Sequence, residues 1–202
     1  MIGLVLLFAG ALLLMDGRTS QVLIAYVVLA LTTSLIIAPV AVATPIALLF
    51  FFISTLLKVV LAPVGFVLFL RANPAAGDLR PSITMPLRLL LAIGFVLVSR
   101  AVSHIPAFGG TPMIDVVAFL VLCGVGMLVV HRNLLADMIG LLVLGVAVDL
   151  AGAVLAPTLP ESVELGATFD ALVATFLGLT LVRAIVMQNP LLDVEYLRKL
   201  RG

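Results

Sequence analysis

Apolar residues fill long runs along this chain, and short clusters of Gly, Pro and polar residues punctuate them. No charged residue occurs between Arg18 and Lys58, a stretch too long for one soluble core helix and long enough for two membrane crossings. Reading the runs against their breakers predicts seven helices. The first, Met1 to Met15, ends at Asp16-Gly17-Arg18. It has no basic n-region and no small-residue cleavage site, so it is expected to be a retained span and not a signal peptide. A second runs from about Ser20 to Ala38, and Pro39 to Pro45 makes a tight turn into a third, about Ile46 to Leu70. The fourth covers Met85 to Ser103, the fifth Met113 to Val130, the sixth Leu134 to Leu155 and the seventh Val163 to Met187. The expected fold is all-α: one integral membrane domain, residues 1–202, built as a polytopic bundle of about seven transmembrane helices.

Composition agrees with that class. The chain is 64% hydrophobic and 10% charged, with a mean hydropathy of +1.38. A net charge of +1 gives no sign of nucleic-acid binding. Cys123 is the single cysteine and has no internal disulfide partner. With only His104 and His131 beside it, no metal-ligand cluster is credible. No phosphate loop, nucleophile triad, haem ligand set or zinc spacing is present, so the chain is expected to have no catalytic site of its own and no cofactor.

The basic residues orient the bundle. With seven spans, the loops after helices one, three and five share a side with the C-terminus. They hold Arg18, then Arg71, Arg80 and Arg88, then Arg132, then Arg183, Arg198, Lys199 and Arg201, whereas the opposite loops hold only Arg100. The positive-inside rule therefore puts the N-terminus outside and the C-terminus in the cytoplasm, as expected of a multi-pass protein of the plasma or inner membrane.

Three ionisable residues lie deep inside apolar runs: Lys58, Asp149 and Asp170. A charge near the bilayer centre costs about 2.5–3.5 kcal/mol on insertion scales, so such residues usually face a protein interior or a hydrated path. From the span boundaries, Asp149 and Asp170 each fall roughly 6 Å to the outer side of mid-membrane at the helical rise. Lys58 falls near the middle of the third helix, with Pro63 five residues on, where a freed carbonyl and a kink can admit water or a partner group. Burial favours the neutral form of an acid or a base, while pairing favours the charged form, so a Lys/Asp set can exchange protons when a nearby charge moves. The competing reading is a permanent Lys58 bridge to Asp149 or Asp170 that fixes helix packing. Asp115 and Asp137 lie within a few residues of helix starts and are read as caps that interact with the helix dipole. Arg100 and His104, one turn apart near a helix end, are read as an interfacial anchor. Gly124, Gly126, Gly140 and Gly145 are expected to permit close helix approach.

A sequence pattern adds a family resemblance. His131-Arg132-Asn133-Leu134-Leu135, then Met138-Ile139-Gly140-Leu141, Gly178-Leu179 and the tail Asn189-Pro190-Leu191-Leu192-Asp193-Val194 resemble the small K subunit of respiratory complex I. Lys58-Val59-Val60-Leu61-Ala62-Pro63, Arg71-Ala72-Asn73-Pro74, Val163-Glu164-Leu165-Gly166 and Asp170-Ala171 widen the resemblance to hydrogenase-4 component E, a membrane subunit of group 4 nickel-iron hydrogenases. On that resemblance, residues 1–110 form a four-helix N-terminal extension and residues 111–202 a three-helix unit similar to the K subunit, with a short cytoplasmic tail. Lys58 and Asp170 match the hydrogenase subunit. The two intramembrane glutamates of the K subunit fall at Leu142 and Ala174, and the glutamate of the hydrogenase subunit falls at Gly145. Asp149, one helical turn beyond Gly145, stands where a relocated carboxylate would.

The resemblance implies a non-catalytic membrane subunit of a complex I-related respiratory complex, contributing to or supporting proton translocation coupled to redox chemistry elsewhere. The implied partners are antiporter-like membrane subunits, a complex I-like membrane anchor subunit and a peripheral redox module, all beside the lipid bilayer. Two alternatives remain: a structural adaptor between antiporter-like subunits, and a subunit of a redox-independent multisubunit cation/proton antiporter.

Overall fold

The apolar runs among the described residues become helices because a chain in hydrocarbon must satisfy its own backbone polar groups; most of the expected helix from Val163 to Met187 lies outside the described residues. The protein's structure, a computed structural model, describes residues 2–15, 17–41, 45–72, 82–106, 113–131, 133–155, 169, 173 and 175–184. Among them α1 spans Ile2–Met15, α2 Thr19–Ala41, α3 Pro45–Leu56, α4 Ala62–Ala72, α5 Met85–Ser103, α6 Ile114–Val130 and α7 Leu134–Leu155. A π-helical turn, Leu57–Leu61, joins α3 to α4 without a break. Thr175–Ala184 is a further short apolar helix. No strand occurs among the described residues.

Four helical stretches are long and apolar enough to cross a membrane: Thr19–Pro39, Leu48–Ala72, Met85–Ser103 and Leu134–Leu155. The 17 residues of α6 sit at the lower end of the usual spanning length, about 17–25 residues. The expected boundaries at Ser20, Ile46, Leu70 and Met113 shift by one or two residues, and that at Ala38 by three. The tight turn expected from Pro39 does not begin there, because α2 continues through Pro39 to Ala41. A proline in the last turn of a helix removes a single bond, to the carbonyl four residues back, where few bonds remain to be lost.

The core is centred on α6, which packs most extensively on α7 and also contacts α5 and α1. Phe119, Leu120, Cys123, Met127 and Val130 of α6 are fully buried, as are Leu135, Ile139, Val143 and Leu150 of α7. Two glycines let these helices touch. A Cβ at Gly124 would stand 2.6 Å from Leu144 Cγ and 3.1 Å from the Gly140 carbonyl oxygen. One at Gly140 would stand 3.0 Å from the Gly124 carbonyl oxygen. By contrast α5 lies at the periphery, burying Arg88, Ala92 and Ser99 while Leu90, Ile93 and Leu97 face outward. That outward surface is what lipid or a partner helix would cover.

Polar contacts gather connections at the two ends. The Arg88 side chain donates through Nη1 to the Met15 carbonyl oxygen at 2.6 Å, so a cation satisfies the C-terminal carbonyl of α1. Ser82 donates to the Val130 carbonyl oxygen through both its backbone N–H (2.7 Å) and its hydroxyl (2.8 Å). The segment leading into α5 therefore meets the ends of α1 and α6. At the opposite end Arg100 pairs with Asp115 at 3.3 Å, joining α5 to α6.

Candidate functional site

Lys58 lies on the π turn, and its ammonium forms an ion pair and hydrogen bond with Asp149 Oδ2 on α7. The side chains are 16% and 8% exposed, so both charges are largely desolvated. Of the two bridges that the apolar-run pattern allows, the described residues contain the one to Asp149. Asp170 lies outside the described residues, as do Arg132 and Ala174. The long methylene stem of Lys58 lets a charge anchored near mid-span reach an acid placed further along a neighbouring helix.

The π turn explains how Lys58 is presented. Ala62 N–H bonds to the Leu57 carbonyl, five residues back, where an α-helix would use the carbonyl four back. In that wider register the next amide, the one the Lys58 carbonyl would meet, belongs to Pro63, which has no N–H. The proline thus strands the Lys58 carbonyl oxygen, and the buried hydroxyl of Tyr26 on α2 donates to it at 3.3 Å. Three elements meet here, since α2 packs against both α7 and the π turn.

Pattern and chemistry pointed to Lys58 and Asp149 but passed over Tyr26. A signal existed. A tyrosine in the middle of an apolar span needs an acceptor for its hydroxyl, and Pro63 frees one. Hydroxyls elsewhere solve the same problem locally: Thr33 donates to the Leu29 carbonyl at 2.9 Å and Ser99 to the Val96 carbonyl at 2.8 Å. Arg88, an orientation charge in the sequence pattern, is buried against the end of α1.

The remaining polar residues take structural positions. Asn133 caps α7, its side-chain oxygen accepting from Leu135 N–H at 3.0 Å. His131 closes α6 with its backbone N–H on the Met127 carbonyl. His131 and Asn133 therefore stand at the facing ends of α6 and α7, one closing α6 and the other opening α7. Asp137 stands in the first turn of α7, where a carboxylate meets the positive end of the helix dipole. Asp115 stands in the first turn of α6 and accepts from Val116 N–H at 2.9 Å; its bridge to Arg100 on α5 is a contact between helices that residue spacing does not encode. Leu142 and Gly145 lie on α7 below Asp149, Leu142 buried and Gly145 half-buried. Among the described residues no three His, Cys, Asp or Glu side chains come together as a metal site.

Among the described residues, fold and site together define a helical protein with helices long and apolar enough to cross a membrane and a buried cation–carboxylate pair between them. No protein-family model, curated protein or solved structure matches the chain.

Proposed function

We propose that this chain is a non-catalytic, multi-pass subunit of a complex I-related membrane complex of the group 4 hydrogenase type, and that it contributes to proton translocation. In this reading it crosses the plasma or inner membrane seven times, with its N-terminus outside. Antiporter-like subunits, a complex I-like anchor subunit and a peripheral redox module are its partners. The observation that carries the reading is the Lys58–Asp149 pair, a cation and an acid drawn from two apolar spans and held together away from solvent. Such a pair is expensive to place in hydrocarbon and, when present, usually marks a path for charge. Arg88 and Ser82, which tie neighbouring connections together at the end rich in basic loops, support the alternating topology.

A second reading, a structural adaptor that carries no protons, draws on the same pair. Lys58 and Asp149 neutralise each other directly, as a bridge fixing α7 against the π turn would require. Purification of the tagged chain from mild detergent, with identification of its stable partners, tests the assignment. Co-purifying redox and antiporter-like subunits are expected. Antiporter-like subunits without any redox subunit would replace the assignment with a cation/proton antiporter, and a chain that purifies alone would remove it.

A further inference from the structure

A lysine on a π turn holds its position only if the turn holds its register. A helix that relaxes from five-residue to four-residue bonding loses one inserted residue, and everything beyond the slip rotates by roughly 100° about the helix axis and moves by about 1.5 Å. Lys58 lies inside the segment that would slip. Whatever stabilises the π register therefore determines whether its ammonium meets Asp149.

Two features bear on that register. Pro63 has no N–H, so the Lys58 carbonyl lacks its partner within the helix. Tyr26 supplies the missing donor from α2 through its hydroxyl, at 3.3 Å. The tyrosine is fully buried, and its bond goes to the backbone of the very residue whose side chain holds Asp149. An unmet buried carbonyl in an apolar interior is costly, so this bond favours the conformation in which the carbonyl points at Tyr26.

We infer that Tyr26 is a positioning residue: its hydroxyl latches the Lys58 carbonyl, holds the π turn in register and thereby seats the Lys58 ammonium on Asp149. Release of the latch frees Lys58 from its acid, which makes the turn a switch between a closed and an open pair. The inference uses the ion pair on which the proposed function rests but not its proton traffic, so each can fail alone.

The test uses the full chain in lipid nanodiscs and N-hydroxysuccinimidyl acetate as the amine probe. The chain has two lysines, Lys58 and Lys199, so acetylation of Lys199 is an internal reference for that of Lys58, both quantified by mass spectrometry. An ion-paired ammonium reacts slowly, and its rate follows the open population. Tyr26→Phe keeps the ring and removes only the hydroxyl. It is expected to raise the Lys58 to Lys199 labelling ratio about fivefold, the factor that corresponds to one ordinary hydrogen bond. Pro63→Ala restores an N–H to the helix, and in that background Tyr26→Phe is expected to leave the ratio unchanged. No rise in Tyr26→Phe, or an equal rise in both backgrounds, would overturn the latch, the latter because the effect would then come from packing and not from the carbonyl.

Discussion

Removing one member of the Lys58–Asp149 pair should destabilise the fold far more than removing both. The two side chains are 16% and 8% exposed, and among the described residues no second cation reaches the Asp149 carboxylate. Lys58→Met therefore leaves a desolvated carboxylate alone, and breaking a buried pair in this way typically costs about 3–5 kcal/mol. The partial exposure of Lys58 places the expected loss near the lower end, about 3 kcal/mol. Lys58→Met combined with Asp149→Leu removes both charges, and replacement of a whole buried pair by apolar groups is often neutral or stabilising. The double variant should return to within about 1 kcal/mol of the native chain. Unfolding in mixed micelles of rising sodium dodecyl sulfate content, followed by circular dichroism, measures Lys58→Met, Asp149→Leu and the double variant. A single variant that loses less than about 1 kcal/mol, the range of a solvated surface pair, would refute the reasoning. So would a double variant whose loss equals the sum of the two single losses.

Other predictions concern the frame around the pair. Gly124→Ala should cost about 1–3 kcal/mol through overpacking, because its Cβ would meet Leu144 and the Gly140 carbonyl; Gly94→Ala, with open space around it, should be neutral in the same unfolding assay. Arg88→Met should cost about 1.5–3 kcal/mol, the range for a hydrogen bond to a charged group, since it uncaps the Met15 carbonyl. Asn133→Ala should cost about 1 kcal/mol by uncapping α7. Arg100→Ala breaks a largely exposed bridge and should change stability by less than about 1 kcal/mol.

Helix positions were readable in the sequence because hydropathy and breakers act locally. The apolar runs Met85 to Ser103 and Leu134 to Leu155 have the bounds of α5 and α7. What the sequence did not contain was rotation. Residue spacing sets the depth of Lys58, Asp149 and Asp170 along their helices but not which faces meet, so it left two acids equally open to the lysine. The π turn shows the same limit on a smaller scale. Pro63 announces a freed carbonyl, and in α-helical register that carbonyl belongs to Val59. The bond from Ala62 to Leu57 moves it to Lys58, where Tyr26 can reach it. That choice depends on a contact with α2, 32 residues away in the chain, and no local pattern encodes it.

Proton uptake per redox turnover, measured on the purified complex reconstituted into sealed vesicles with native chain or with Lys58→Met, tests the central claim most directly. A complex that stays intact and redox-active but takes up fewer protons per turnover is the predicted result. An unchanged proton stoichiometry in the intact complex would contradict a role for the Lys58–Asp149 pair in translocation and leave it a structural bridge.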